Sequence, residues 1–112
     1  MKAIGTDIED VNKFRNLIND DVKLNKLFTP KELEYCLKSS RPNEHLTARF
    51  AGKEATIKAY YSLHNKLLKY KDIEILNGNG GAPILNIYDE KNGHISLSHT
   101  KENAIAFVYL EI

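Results

Sequence analysis

Arg49-Phe50-Ala51-Gly52-Lys53-Glu54-Ala55-Thr56-Ile57-Lys58-Ala59 carries two overlapping patterns at helical spacing. Leu46, Phe50, Ile57, Tyr61 and Leu68 fall on one stripe of a helix read from about Leu46 to about Leu68, the spacing of a core-facing surface. Ala48, Ala51, Gly52, Ala55 and Ala59 form a second stripe of small residues only. Small side chains in a row admit another backbone at close range, so this helix is expected to be covered on two sides. Lys53 and Glu54 sit on the borders of the large stripe and Lys58 follows Glu54 by one turn. A Glu-to-Lys pair at i,i+4 contributes about 0.2–0.5 kcal/mol on an exposed helix, and by itself that is the simpler account of these charges.

Outward from this helix the chain reads as one domain spanning residues 1–112. Upstream, Thr29-Pro30-Lys31-Glu32 is a helix start with capping residue, proline in the first turn and glutamate closing the box. It opens a helix to about Lys38. Met1 to Gly5 reads as a short strand, Gly5-Thr6-Asp7 as a turn, and Val11, Phe14 and Ile18 as helical spacing capped by Thr6 or Asp7. Downstream, 72–76, 84–88, 94–98 and 104–112 alternate like strands, separated by glycine-rich or polar turns. The fold class is α+β: a four-stranded antiparallel sheet, which the N-terminal strand can join, packed against helices.

Composition excludes several functions. Sixteen Lys and Arg against fifteen Asp and Glu leave a net charge of +1, so no overall field attracts nucleic acid or a membrane. No run reaches the roughly 20 apolar residues of a bilayer span, and the start lacks an apolar signal core. Cys36 is the only cysteine, which excludes an intrachain disulfide and points to the cytoplasm. The remaining chemistry lies in Asp7, in Glu54 with Lys53 and Lys58, and in His99. Few carboxylates without histidine partners suit a hard cation such as Mg²⁺. His94, His45 and His64 read as surface histidines, and His99 equally as a turn residue.

Gly5-Thr6-Asp7-Ile8-Glu9, Arg49 to Ala55 followed by Lys58-Ala59, Asp72-Ile73-Glu74-Ile75, and Ser96 to Glu102 occur in this order. Together they resemble the holo-[acyl-carrier-protein] synthase family of small 4′-phosphopantetheinyl transferases. The resemblance implies a phosphopantetheinyl transferase-like fold and Mg²⁺-dependent transfer of 4′-phosphopantetheine from coenzyme A to a serine of apo acyl carrier protein, leaving adenosine 3′,5′-bisphosphate. It implies a homotrimer with sites at subunit interfaces. It also implies Asp7 and Glu54 as metal ligands and Lys58 beside the transferred phosphate. Arg49, Lys53, His99 and Thr100 are implied to line the coenzyme A pocket, and Lys13 to face the carrier protein. Glu54 is the leading candidate base, ahead of Glu34 and His99. Two departures stand out: Tyr60 to His64 replaces a Gly-Thr-Gly turn, so the helix is expected to run on, and Gly81-Ala82-Pro83 lacks a lysine. The alternative is a non-catalytic α+β module that binds a carrier protein.

Overall fold

The computed structural model describes residues 1–112. Strand β1 (Lys2–Asp10) leads through two 3₁₀ turns, at Val11–Phe14 and Leu17–Asn19, into α1 (Asp21–Leu27). Helices α2 (Pro30–Lys38) and α3 (Pro42–His64) follow. Then come β2 (Ile73–Asn77), β3 (Pro83–Ile87), a short β4 (Glu90–Lys91), β5 (His94–His99) and β6 (Asn103–Glu111). The α+β class is as expected, with helices on antiparallel strands.

The strands form two sheets rather than one. β1, β6 and β5 make a three-stranded antiparallel sheet in that order, and β2, β3 and β4 make another. The separation originates at Tyr88 and Asp89, both at positive φ (52° and 65°), a two-residue hairpin that folds β4 back on β3. The chain therefore leaves that sheet before β5 begins.

A second difference concerns β1. Thr6 and Asp7 do not cap a helix: the strand continues through them, paired residue for residue with β6 from Lys2↔Glu111 to Asp10↔Asn103. Ala3, Gly5, Asp7 and Glu9 alternate on the face turned to α3, so the period of two extends beyond Gly5. The capping role falls to Asp10, whose carboxylate accepts from the Asn12 N–H at 2.9 Å. Val11 and Phe14 are buried as expected, but in 3₁₀ turns, and the third buried position is Leu17, with Ile18 only partly covered.

α3 starts four residues earlier than its periodicity suggests. Pro42 occupies the first turn, where its missing N–H costs nothing. The helix runs through His64, past the point of the missing Gly-Thr-Gly turn. It stops at Asn65, which is left-handed (φ 52°) and donates its N–H to the Tyr61 carbonyl at 2.8 Å. The small stripe is covered throughout and lies deepest, while the large one is covered only in part. Ala51, Ala55 and Ala59 are fully buried with Val108, Ala106 and Ile75 in one core. Leu46 and Phe50 join Phe14, Leu24, Phe28 and Cys36 in a second core beneath α1 and α2. Tyr61 is exposed, and Leu68 is buried but lies beyond the helix. In the second core, burial pushes the Cys36 thiol up to about 11.

The tightest approach is between β1 and α3. A Cβ at Gly5 would lie 1.8 Å from the Ala55 carbonyl oxygen, so only glycine permits this separation. Gly5→Val is expected to lower stability by roughly 3 kcal/mol or more, the upper end of overpacking costs, because the obstacle is main chain. Thermal unfolding checks this, and a variant melting with the parent would contradict the packing.

Candidate active site

Two clusters flank α3. At the β1 edge of the β1–β6–β5 sheet, Asp7 and Glu9 project beside Glu54 and Lys58. Lys58 Nζ donates to Oδ1 of Asp7 at 3.2 Å and to the Thr6 carbonyl at 3.0 Å. Tyr70, in a 3₁₀ turn before β2, donates its hydroxyl to Oε1 of Glu54 at 2.6 Å. Oδ2 of Asp7 is buried and has no partner. Burial, together with the Asp7 carboxylate beside it, lifts the Glu9 carboxyl to about 7, with Glu54 adding to the rise and Lys13 opposing it. Burial and the bond to Glu54 push the Tyr70 hydroxyl up to about 12, so it remains a donor at any working pH. Three carboxylates thus act on one another at this edge, with Lys58 and Lys13 as the nearby cations.

A buried acceptor without a partner is expensive unless something else satisfies it. No three His, Cys, Asp or Glu side chains form a ready metal cage. The orphaned oxygen with a second carboxylate beside it fits a cation that keeps several waters and takes its remaining ligands from a phosphate substrate.

The second cluster lies at the opposite edge, on β5. Arg49 stands over the Tyr35 ring, 4.6 Å from its centroid, and donates to the Asn77 side chain. Its Nε is buried without a partner. His99 meets Oε1 of Glu44 at 3.1 Å and packs edge-on against His45, which is half-buried rather than on the surface. Burial and the charges of Arg49 and His99 lower the His45 pKa. These residues enclose a cleft of about 220 Å³ with Gly81 and Pro83. Thr100 builds the β5–β6 turn, its hydroxyl accepting from the N–H groups of Glu102 and Asn103 at 3.1 Å each.

Within one chain these two clusters do not meet: α3 and the middle strand β6 stand between them. Asp7, Glu54 and Lys58 come together; Arg49 and His99 come together elsewhere. Glu34 joins neither and pairs with Lys38 in solvent. Lys53 requires a correction, because it lines no open pocket. It is completely buried, 2.6 Å from Glu32, and donates to the carbonyls of Leu27 (2.8 Å) and Tyr70 (3.0 Å). Its place on the border of the large stripe, and the pocket position implied by the resemblance, both left it within reach of solvent or ligand, whereas the flank it occupies is covered by α2. Sequence reasoning also missed Glu9 and Tyr70. Alternation from Gly5 through Asp7 to Glu9 could have signalled the first; nothing in Lys69-Tyr70-Lys71 signals the second.

The molecule is thus a two-sheet α+β fold with carboxylates and a lysine at one edge and an arginine–histidine cleft at the other. Residues 3–108 match the model of the 4′-phosphopantetheinyl transferase superfamily. The chain is 38% identical to a holo-[acyl-carrier-protein] synthase of Syntrophus aciditrophicus over 96% of this chain and 93% of that one. It is 40% identical to one of Chlamydia felis over 95% and 93%. A crystal structure of a holo-(acyl-carrier-protein) synthase from Bacillus anthracis, in complex with CoA (3′,5′-ADP), superposes with a TM-score of 0.82 at 35% identity, covering 97% of this chain and 95% of the other. The chain belongs to the 4′-phosphopantetheinyl transferase superfamily and, within it, to the holo-[acyl-carrier-protein] synthase family of enzymes.

The two lysines separate structural from surface roles. Lys53→Met leaves the Glu32 charge buried alone and is expected to cost about 3–5 kcal/mol. Lys58→Met removes a half-exposed pair and is expected to cost less than about 1 kcal/mol. Denaturant unfolding at one protein concentration measures both, and similar costs would contradict the assignment.

Proposed function

We propose that this enzyme transfers 4′-phosphopantetheine from coenzyme A to a serine of apo acyl carrier protein, with adenosine 3′,5′-bisphosphate as the second product and Mg²⁺ required. The observation that carries this reading is the pairing of Lys58 with Asp7, whose other oxygen, Oδ2, is buried and unpartnered, on the flank of α3 where Glu54 and Asp7 both act on Tyr70. Asp7 and Glu54 would hold Mg²⁺, which when bound neutralises charge on the phosphate and the leaving group. Lys58, tethered to Asp7 and the Thr6 carbonyl, presents an ammonium to the transferred phosphate. The serine hydroxyl gains the bond to phosphorus, the bond from phosphorus to the bisphosphate breaks, and Glu54 is the candidate acceptor of the serine proton. Lys13, exposed and close enough to act on Glu9, is suited to steer an acidic carrier protein.

Arg49, with its free Nε, and His99 are suited to the phosphates of coenzyme A, with Thr100 beside them in the β5–β6 turn. Their position on the other edge supports a homotrimer with each site shared between neighbours. Ile4, Ile8, Ile105 and Phe107 support it too: these exposed apolar residues share the outer face of the β1–β6–β5 sheet. No helix is long and apolar enough to cross a membrane, and we assign the cytoplasm as the site of action.

Intact mass of apo acyl carrier protein after incubation with the chain, coenzyme A and Mg²⁺ tests the reaction. A gain of one phosphopantetheine is expected, abolished by chelator and by Asp7→Ala or Glu54→Ala without loss of fold. Stable binding of the carrier protein with no gain in mass would favour the non-catalytic module instead. Phe107→Glu is expected to give a monomer by light scattering with transfer reduced at least 100-fold; a fully active monomer would refute the shared site.

A further inference from the structure

Tyr70 is gripped at both ends. Its hydroxyl donates to Oε1 of Glu54 at 2.6 Å, while its main-chain carbonyl accepts from Nζ of Lys53 at 3.0 Å. Lys53 and Glu54 are neighbours on α3 whose side chains leave the helix about 100° apart, so Tyr70 bridges the buried flank and the reaction edge. The buried end is held at several points. Nζ of Lys53 is fixed by Glu32 at 2.6 Å and by the Leu27 carbonyl at 2.8 Å, and Glu32 is itself fixed by the N–H groups of Thr29 and Ile75, both at 2.9 Å. The Tyr70 ring is also held, tilted against Phe50 with centroids 5.5 Å apart, and Phe50 packs on Phe14 at 5.0 Å. A hydroxyl carried by such a ring is a donor at a fixed point. Glu54 is different: it is half-exposed, has three side-chain torsions, and its one side-chain hydrogen bond is the one from Tyr70.

We propose that Tyr70 is a positioning residue, transmitting the rigidity of the Lys53–Glu32 pair to Glu54, holding one carboxylate oxygen and leaving the other for a divalent cation shared with Asp7. The inference rests on the reading of Asp7 and Glu54 as the cation-holding pair. An outer partner that orients a carboxylate ligand tightens metal binding, and its loss typically weakens affinity 10- to 100-fold. Lys53 then acts on the reaction edge without reaching it, through a single tyrosine.

The test is Mn²⁺ titrated into the full chain in its native assembly, with free ion read by electron paramagnetic resonance. Tyr70→Phe keeps the ring and removes only the hydroxyl. Mn²⁺ affinity is expected to fall about tenfold, and the Mg²⁺ concentration for half-maximal transfer to rise by a similar factor. The KM for carrier protein and the melting temperature should stay at parent values. Parent-like Mn²⁺ binding by folded Tyr70→Phe overturns the inference. Glu54→Asp, which keeps the charge but withdraws the carboxylate from the hydroxyl, is the second variant. Combining it with Tyr70→Phe is expected to add no further loss of affinity, because both break one interaction; losses that add overturn the inference. A parent chain that binds Mn²⁺ but transfers nothing would count against the transferase reading alone and leave this result standing.

Discussion

The acidic edge around Asp7 depends on how closely β1 lies on α3, and that separation is set by the absent side chain of Gly5 against the carbonyl of Ala55. With the strand so close, the next residue on the same face, Asp7, comes within reach of Lys58, one turn beyond Glu54. The alanine stripe serves the same end. Ala51, Ala55 and Ala59 contribute little side-chain volume, so main chain rather than side chain fills the layer between sheet and helix. A layer built this way has little slack, and a methyl group at the wrong point displaces the carboxylates.

On the opposite side α3 is held by charge. Lys53 and Glu32 are both removed from water, and burial drives the Lys53 pKa down despite the carboxylate next to it. Such a pair offers modest net stability, since desolvation offsets much of the attraction. Its value here is direction. Glu32 reaches the Thr29 and Ile75 N–H groups while Lys53 reaches two carbonyls, so one ion pair ties α2, α3, β2 and the Tyr70 turn to a single register. The capping box at Thr29 is therefore more than a helix start, because its glutamate is also the counter-ion of the buried lysine.

The parts of this architecture legible in the sequence were those governed by local rules. Thr29-Pro30-Lys31-Glu32 forms the cap it spells, and the alternation of β5 and β6 survives intact. Asp7 to Asp10 defeated local reasoning because acidic residues before an apolar helical pattern describe a helix start as well as they describe a strand edge; pairing with β6, a hundred residues away, decides it. Lys53 was misread because lysine is rarely buried without a partner, and its partner lies on another helix. For Tyr70 the determining fact is the path of an irregular segment, which carries no periodicity. At the site, the four segments that carry the family resemblance pointed to Asp7, Glu54 and Lys58, which do converge. They did not reveal that Arg49 and His99 face the other way.

That opposition is the central feature of the molecule. Two polar clusters, each with one buried atom left unpartnered (Oδ2 of Asp7 in one, Nε of Arg49 in the other), occupy opposite edges of one sheet, and the exposed Ile4, Ile8 and Phe107 offer a surface on which copies can associate. On this account a working site takes its carboxylates and lysine from one chain and its arginine and histidine from the next. The direct measurement is subunit complementation: Glu54→Ala and Arg49→Ala proteins, each inactive, are unfolded together and refolded as mixed assemblies. Activity should return to about a quarter of the parent value, the share of sites left intact by random mixing of two single-defect subunits. Mixed assemblies that form but stay inactive would contradict the shared site and require both clusters to act within a single chain.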